Sequence, residues 1–72
     1  MSDSKSDLHF KLDKFGVLVT PLTRKGKEYI GDESYLSLTE GKALYRGVVD
    51  QGDHASFQDS MTRDFLTGLA GV

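Results

Sequence analysis

Several kinds of residue are missing or scarce in this chain, and each shortage closes a class of protein. There is no cysteine. The fold can therefore use neither a disulfide framework nor a thiolate metal site, which separates it from small secreted scaffolds and points to a cytoplasmic protein. No apolar run approaches the ~18 residues that a membrane span requires. The opening "MSDSKSD" has neither the basic start nor the apolar stretch of a secretory leader, so the expectation is a short disordered tail over residues 1–7 and no membrane association. Proline occurs once, as Pro21, and tryptophan is absent. Signatures of chemistry are missing as well. There is no nucleophile elbow and no Ser/His/acid set that spacing supports. Arg24-Lys25-Gly26-Lys27 has one glycine and no phosphate-loop spacing, and the acidic loop "DQGDHAS" lacks the ligand order of a calcium hand. The expectation is a non-enzyme with no cofactor and no metal.

What remains is a chain of 72 residues, 38% apolar and 28% charged, which fits one globular domain over residues 8–72 with a small core. The net charge of −2 conceals a polarity: residues 1–27 carry six Lys/Arg against three Asp, whereas residues 28–72 carry three against eight acids.

Leu8-His9-Phe10-Lys11-Leu12 alternates with period two, Asp13 and Gly16 suit a tight turn, and Val17-Leu18-Val19-Thr20 is a β-branched apolar run; together these predict a hairpin. Pro21, which has no N–H to donate, ends the second strand or confines it to an edge. "LTRKGKEYI" (22–30) and "LTEGKALYR" (38–46) look like one phrase twice, but the matches fall at unequal offsets, and the resemblance is one of turn and cap chemistry, not of repeats. The first copy suits a turn into a third strand at Glu28–Ile30, with a helical turn capped by Thr23 as the competing reading. Tyr35–Leu38 alternates again as a fourth strand. Thr39 then caps a helix from about Glu40 to Gln51, along which Leu44 and Val48 recur at i, i+4. Ser56, with Asp59 three residues on, caps a second helix that carries Phe57, Met61 and Phe65 on one face. The fold class is α+β: a small antiparallel β-meander of three to four short strands with two C-terminal helices packed on one face. Its expected core is Leu8, Phe10, Leu12, Val17, Val19, Leu36, Leu38, Leu44, Val48, Phe57, Met61 and Phe65.

Three groups of residues are candidates for contact with other molecules. Asp50, Asp53, Asp59 and Asp64 form an acidic helical face that could enter a partner's basic groove in the manner of small phage-encoded inhibitors. Leu66, Leu69 and Val72 make an apolar tail. Lys11, Lys14, Arg24, Lys25 and Lys27, interleaved with Phe10, Phe15 and Tyr29, could hold phosphates and stack bases. Segment 35–49, "YLSLTEGKALYRGVV", resembles the junction in winged-helix proteins where the last wing strand enters a Thr-capped helix. That resemblance implies at most a lone basic wing, because residues before 15 leave no room for a recognition helix-turn-helix. The leading expectation is a cytoplasmic protein-binding module, a regulator or inhibitor acting by stoichiometric association. Its partner would be another protein, with a homodimer as a further option for so small a core. The alternative is a nucleic-acid-binding accessory protein that uses the basic hairpin, against which the acidic balance of the chain argues.

Overall fold

A computed structural model describes residues 6–68. The two strands with the clearest alternation form as expected: β1 is Leu8–Leu12 and β2 is Val17–Pro21. They pair antiparallel, with Leu8 opposite Pro21 and Leu12 opposite Val17, across a turn closed by the Asp13 N–H donating to the Gly16 carbonyl at 2.8 Å. Directly opposed residues share a face, so Leu8, Phe10, Val17 and Val19 all point to one side, and all four are completely buried. Pro21 ends β2, which lies inside the sheet and not at its edge. Asp7, at the end of the expected tail, is tied to the fold: its N–H donates to the His54 carbonyl and its own carbonyl accepts from the Leu22 N–H. Residues 1–5 lie outside the described residues.

The expected third strand is a helix instead. Helix α1 spans Arg24–Ile30 and is capped by Thr23, whose side chain accepts from the Gly26 N–H at 3.2 Å while its hydroxyl donates to Asp7 Oδ1 at 2.7 Å. Gly26 serves close approach, not a turn. A Cβ there would lie 2.0 Å from the Asp7 carbonyl oxygen, so any side chain would push α1 off the start of β1. Seven residues are too few for a helix to persist alone. Tyr29 and Ile30, packed against the core, hold it in place.

Strand β3 is short, Ser34–Leu36, and pairs antiparallel with β2. Helix α2 follows over Leu38–Asp50, capped by Ser37 and not by Thr39: the Ser37 side chain accepts from the Glu40 N–H while the Glu40 carboxylate accepts from the Ser37 N–H. Moving the cap two residues upstream places Leu38 in the first turn of the helix, where it is 39% exposed and not in the core. Where the sequence predicts the start of the last helix, the chain forms a strand. β4, Ala55–Phe57, runs parallel to β1, with Ala55 beside Leu8 and Phe57 beside Phe10. Asp59 then caps α3, Ser60–Thr67, in place of Ser56. This shift rotates the apolar face. Thr62 and Leu66 are buried, Phe65 packs beside them, and Met61 is 71% exposed where a core position was expected.

The protein is thus α+β, its described residues forming a four-stranded mixed sheet in the order β3-β2-β1-β4 and three helices, not an all-antiparallel meander with two. The correction has one cause: the free edge of β1 takes a parallel strand from far along the chain, and a parallel neighbour requires a crossover, here α1, β3 and α2. The helices cover the face that bears Leu8, Phe10, Val17 and Val19. Gly41 of α2 comes so close that a Cβ would meet Val17 Cγ2 at 2.8 Å. Phe10, Tyr45 and Phe57 join β1, α2 and β4 through ring contacts at centroid distances of 5.9, 6.5 and 5.6 Å. Leu12, Leu36 and Leu44 pack partly buried around this centre. By alternation His9, Lys11, Leu18, Thr20, Tyr35 and Ser56 fall on the other side of the sheet, over which no helix of the described residues lies.

Candidate functional site

The four aspartates proposed as one acidic face have separate positions and partners. Asp53, in the loop after α2, accepts a hydrogen bond from the Tyr29 hydroxyl and pairs with Lys25 Nζ at 3.2 Å, both from α1. The donated hydroxyl proton would be lost on ionisation, so Tyr29 is pushed up to about 12, helped by partial burial and by the charges of Asp53, Asp7 and Glu28. The same bond, with Lys25 behind it, holds the Asp53 carboxyl below its ordinary value. A cavity of about 210 Å³ lined by Lys25, Glu28, Tyr29 and Gln51 lies beside this cluster. Proton transfer at neutral pH needs groups poised near that pH, and these two are driven away from it on either side. The cluster instead anchors α1 to the α2–β4 loop.

Asp59 caps α3, its Oδ1 accepting from the Thr62 N–H at 2.9 Å and the Thr62 hydroxyl at 2.8 Å; these bonds lower its pKa, with Lys11 nearby adding to the effect. Buried Thr62 passes the link on, its oxygen accepting from the Leu12 N–H at 3.0 Å. Asp64 pairs with its neighbour Arg63 at 3.3 Å, and Asp50 is exposed at the end of α2. Of the apolar tail, Leu66 is buried in the core, while Leu69 and Val72 lie outside the described residues.

The five cations fall into two sets. Lys11 and Lys14 stand at the turn end of the β1–β2 hairpin, whereas Arg24, Lys25 and Lys27 belong to α1, which follows β2 at the opposite end. All five are exposed, and Lys25 is engaged with Asp53. His9 Nε2 lies 3.2 Å from Gln58 Oε1 on the open side of the sheet, and His54 is exposed in its loop. Among the described residues no group of three or more His, Cys, Asp or Glu is placed to hold a metal ion.

The feature that sequence reasoning missed is at the turn end of the hairpin. Phe15, at the tip, is 82% exposed. Tyr35 lies next to it: its ring reaches to 3.2 Å from where a Gly16 Cβ would stand, and its hydroxyl is directed at Asp13 Oδ2, 3.4 Å away. Partial burial, then Asp13, push the Tyr35 pKa up. α2 starts here with Leu38, two residues after the Leu36–Val17 pair, and the first turn of α3, which carries Met61, is held here by the Thr62–Leu12 bond. Among the described residues, four of the large exposed apolar side chains, Phe15, Met61, Tyr35 and Leu38, thus share one pole; the remaining two, Leu22 and Val49, are elsewhere. A cleft of about 290 Å³ opens on this pole between Leu12, Asp13, Lys14, Asp59 and Met61. Phe15 was visible as an aromatic in a turn, but its neighbours come from three other elements.

In class, this is a small two-layer α+β domain in which, among the described residues, no helix covers one face of the sheet. No family model matches the chain, and no curated protein or solved structure is similar enough to it to match. No helix of the described residues is long and apolar enough to cross a membrane.

Proposed function

We propose that this chain is a non-catalytic binding module, a small regulator or inhibitor that acts by stoichiometric association with another protein, and that the hairpin pole is its contact surface. The observation that supports this reading is the exposure of Phe15 at 82%, Met61 at 71%, Tyr35 at 51% and Leu38 at 39% at the turn end of the hairpin, with Met61 lining the cleft there. Exposed apolar side chains scattered singly need no explanation, but several at one end of so small a body favour a partner. Aromatic residues and methionine, flanked here by Lys11, Lys14 and Asp59, are the composition of an interface centre with a polar rim. The nucleic-acid alternative needs the five cations to act as one surface, and their division between two ends of the hairpin weighs against it, as do Asp13 and Asp59 beside Lys14 and Lys11.

The test is affinity capture from cell lysate, with and without nuclease, using the wild type and the Phe15→Ser/Met61→Ser double variant. A protein recovered at near-stoichiometric yield by the wild type, insensitive to nuclease and lost with the double variant at unchanged melting temperature, supports the reading. Captured nucleic acid, or recovery indifferent to the two substitutions, rejects it.

A further inference from the structure

We propose that the cleft between the far ends of α2 and α3 is covered by this chain's own residues 69–72, with Leu69 seated against Tyr45 and Val49. Both helices begin at the hairpin pole and the cleft lies at their other ends, so the inference does not rest on the reading of that pole.

The cleft, of about 300 Å³, is lined by Tyr45, Arg46, Val49 and Asp50 from the second half of α2 and by Leu66 and Thr67 from the last turn of α3. Its apolar part is incompletely covered: Leu66 belongs to the core and Tyr45 is half-buried, but Val49 is 48% exposed. α3 ends at this cleft. The Gly68 N–H donates to the Asp64 carbonyl at 3.1 Å, and Gly68, at φ 80° and ψ 14°, has the left-handed conformation that closes a helix and turns the chain off its axis. Leu69 follows at once, two residues past Thr67 and so within about 7 Å of it along the chain. The composition of the segment suits the site: Leu69-Ala70-Gly71-Val72 is apolar and has no charged side chain. The charged residues lining the cleft are one of each sign, Arg46 and Asp50, which stand four apart on α2 and are therefore neighbours on its surface. Arg63 and Asp64, near the end of α3, pair with one another, and Lys42, one turn before Arg46, lies over the Phe65 ring and does not line the cleft. A rim that is neutral in sum favours an uncharged occupant over an acidic or a basic one. The tether decides between this occupant and another molecule. A segment joined by so short a link meets the cleft at an effective concentration of order millimolar, and the entropy of closing so small a loop is slight.

Nuclear Overhauser spectroscopy of the full chain, with labelled methyl groups and tyrosine rings, tests the proposal directly. The expected result is a set of cross-peaks from the Leu69 methyls to the Val49 methyls and the Tyr45 ring, unchanged on dilution and absent from the isotope-filtered spectrum of mixed labelled and unlabelled protein. Urea unfolding supplies a second measurement. Val49→Ser and Leu69→Ser each lower the folding equilibrium constant severalfold, and the double variant loses less than the product of the two, because either substitution alone already removes the contact. Leu22→Ser, at an exposed position elsewhere, shows no such coupling to Leu69→Ser. Absence of any cross-peak between Leu69 and α2, or losses for Val49→Ser and Leu69→Ser that simply multiply, overturns the proposal. Cross-peaks seen only between labelled and unlabelled molecules give the cleft to a second copy, and capture of a foreign protein that is lost with Val49→Ser gives it to a partner; either result overturns the proposal too. None of these outcomes alters the capture test with Phe15→Ser/Met61→Ser, so the failure of one reading is distinguishable from the failure of the other.

Discussion

Tyr29 and Asp53 belong to different elements and have opposite pKa displacements, so their shared hydrogen bond gives stability a signature at each end of the pH scale. Tyr29 is raised from 10.0 in the unfolded chain to about 12 in the fold. A raised pKa stabilises fully below the unfolded value and is lost as pH climbs through the folded one. Asp53 is lowered from 3.8, so its contribution is present above 3.8 and lost as pH falls below it toward the folded value. Urea midpoints measured across pH should therefore show the wild type ahead of Tyr29→Phe by a constant margin through neutral pH, the margin closing between pH 10 and about 12. The margin over Asp53→Asn should close on the acid side, below pH 3.8. Margins that persist unchanged into both limbs would show that the pair does not hold α1 to its loop. At this scale the sequence misled in a specific way. Asp53 and Asp59 read as parts of one acidic face for a partner, yet Asp53 is an anchor and Asp59 the cap of α3, because an aspartate shows nothing in sequence of the hydroxyls and amides that folding brings to it.

At the scale of elements, caps decided where helices begin. The amphipathic spacing of Leu44 and Val48 made α2 legible, but two hydroxyl residues precede Glu40 within three positions, and both can cap. Ser37 prevails because Glu40 then stands at the third helical position and returns a bond to the Ser37 N–H. Ser37→Ala should cost about 1 kcal/mol in urea unfolding. Thr39→Ala, at an exposed position inside the first turn, should stay within about 0.5 kcal/mol of wild type. The reverse order would restore Thr39 as the cap. α1 was harder to read because seven residues with a central glycine have little helical preference of their own. What selects the helix is the close approach of Gly26 to Asp7 and the burial of Tyr29 and Ile30. In α3 the same competition moved the start from Ser56 to Asp59, which freed Ala55–Phe57 to join the sheet and turned Met61 outward.

For the whole molecule, the strand order is the decisive feature. β4 closes the sheet on β1 from almost the full length of the domain away, and the Phe10, Tyr45 and Phe57 rings gather where β1, β4 and α2 meet. Phe10 has no exposed surface, and truncating such a side chain costs about 3–5 kcal/mol. Stability for a domain of this size falls at the low end of the range of about 5–15 kcal/mol. Phe10→Ala should therefore abolish the cooperative thermal transition seen by near-ultraviolet circular dichroism, and a sharp transition retained near the wild-type temperature would show that the ring cluster is not the centre of the fold.

By itself the sequence determined what can be read from neighbours within a turn or two: the β1–β2 hairpin with Leu8, Phe10, Val17 and Val19 inward, the amphipathic helix through Leu44 and Val48, and an α+β class without thiol chemistry. Period-two and helical spacing, together with cap and turn residues, are short-range signals that survive without the rest of the chain. The tertiary structure alone decided that β4 runs parallel to β1, that residues 24–30 are helical, that the cations stand at opposite ends of the hairpin, and that Phe15, Tyr35, Leu38 and Met61 meet at one pole. Each of these depends on contacts between segments distant in sequence, where the closure of long loops and the burial of a shared core, not local preference, set the outcome.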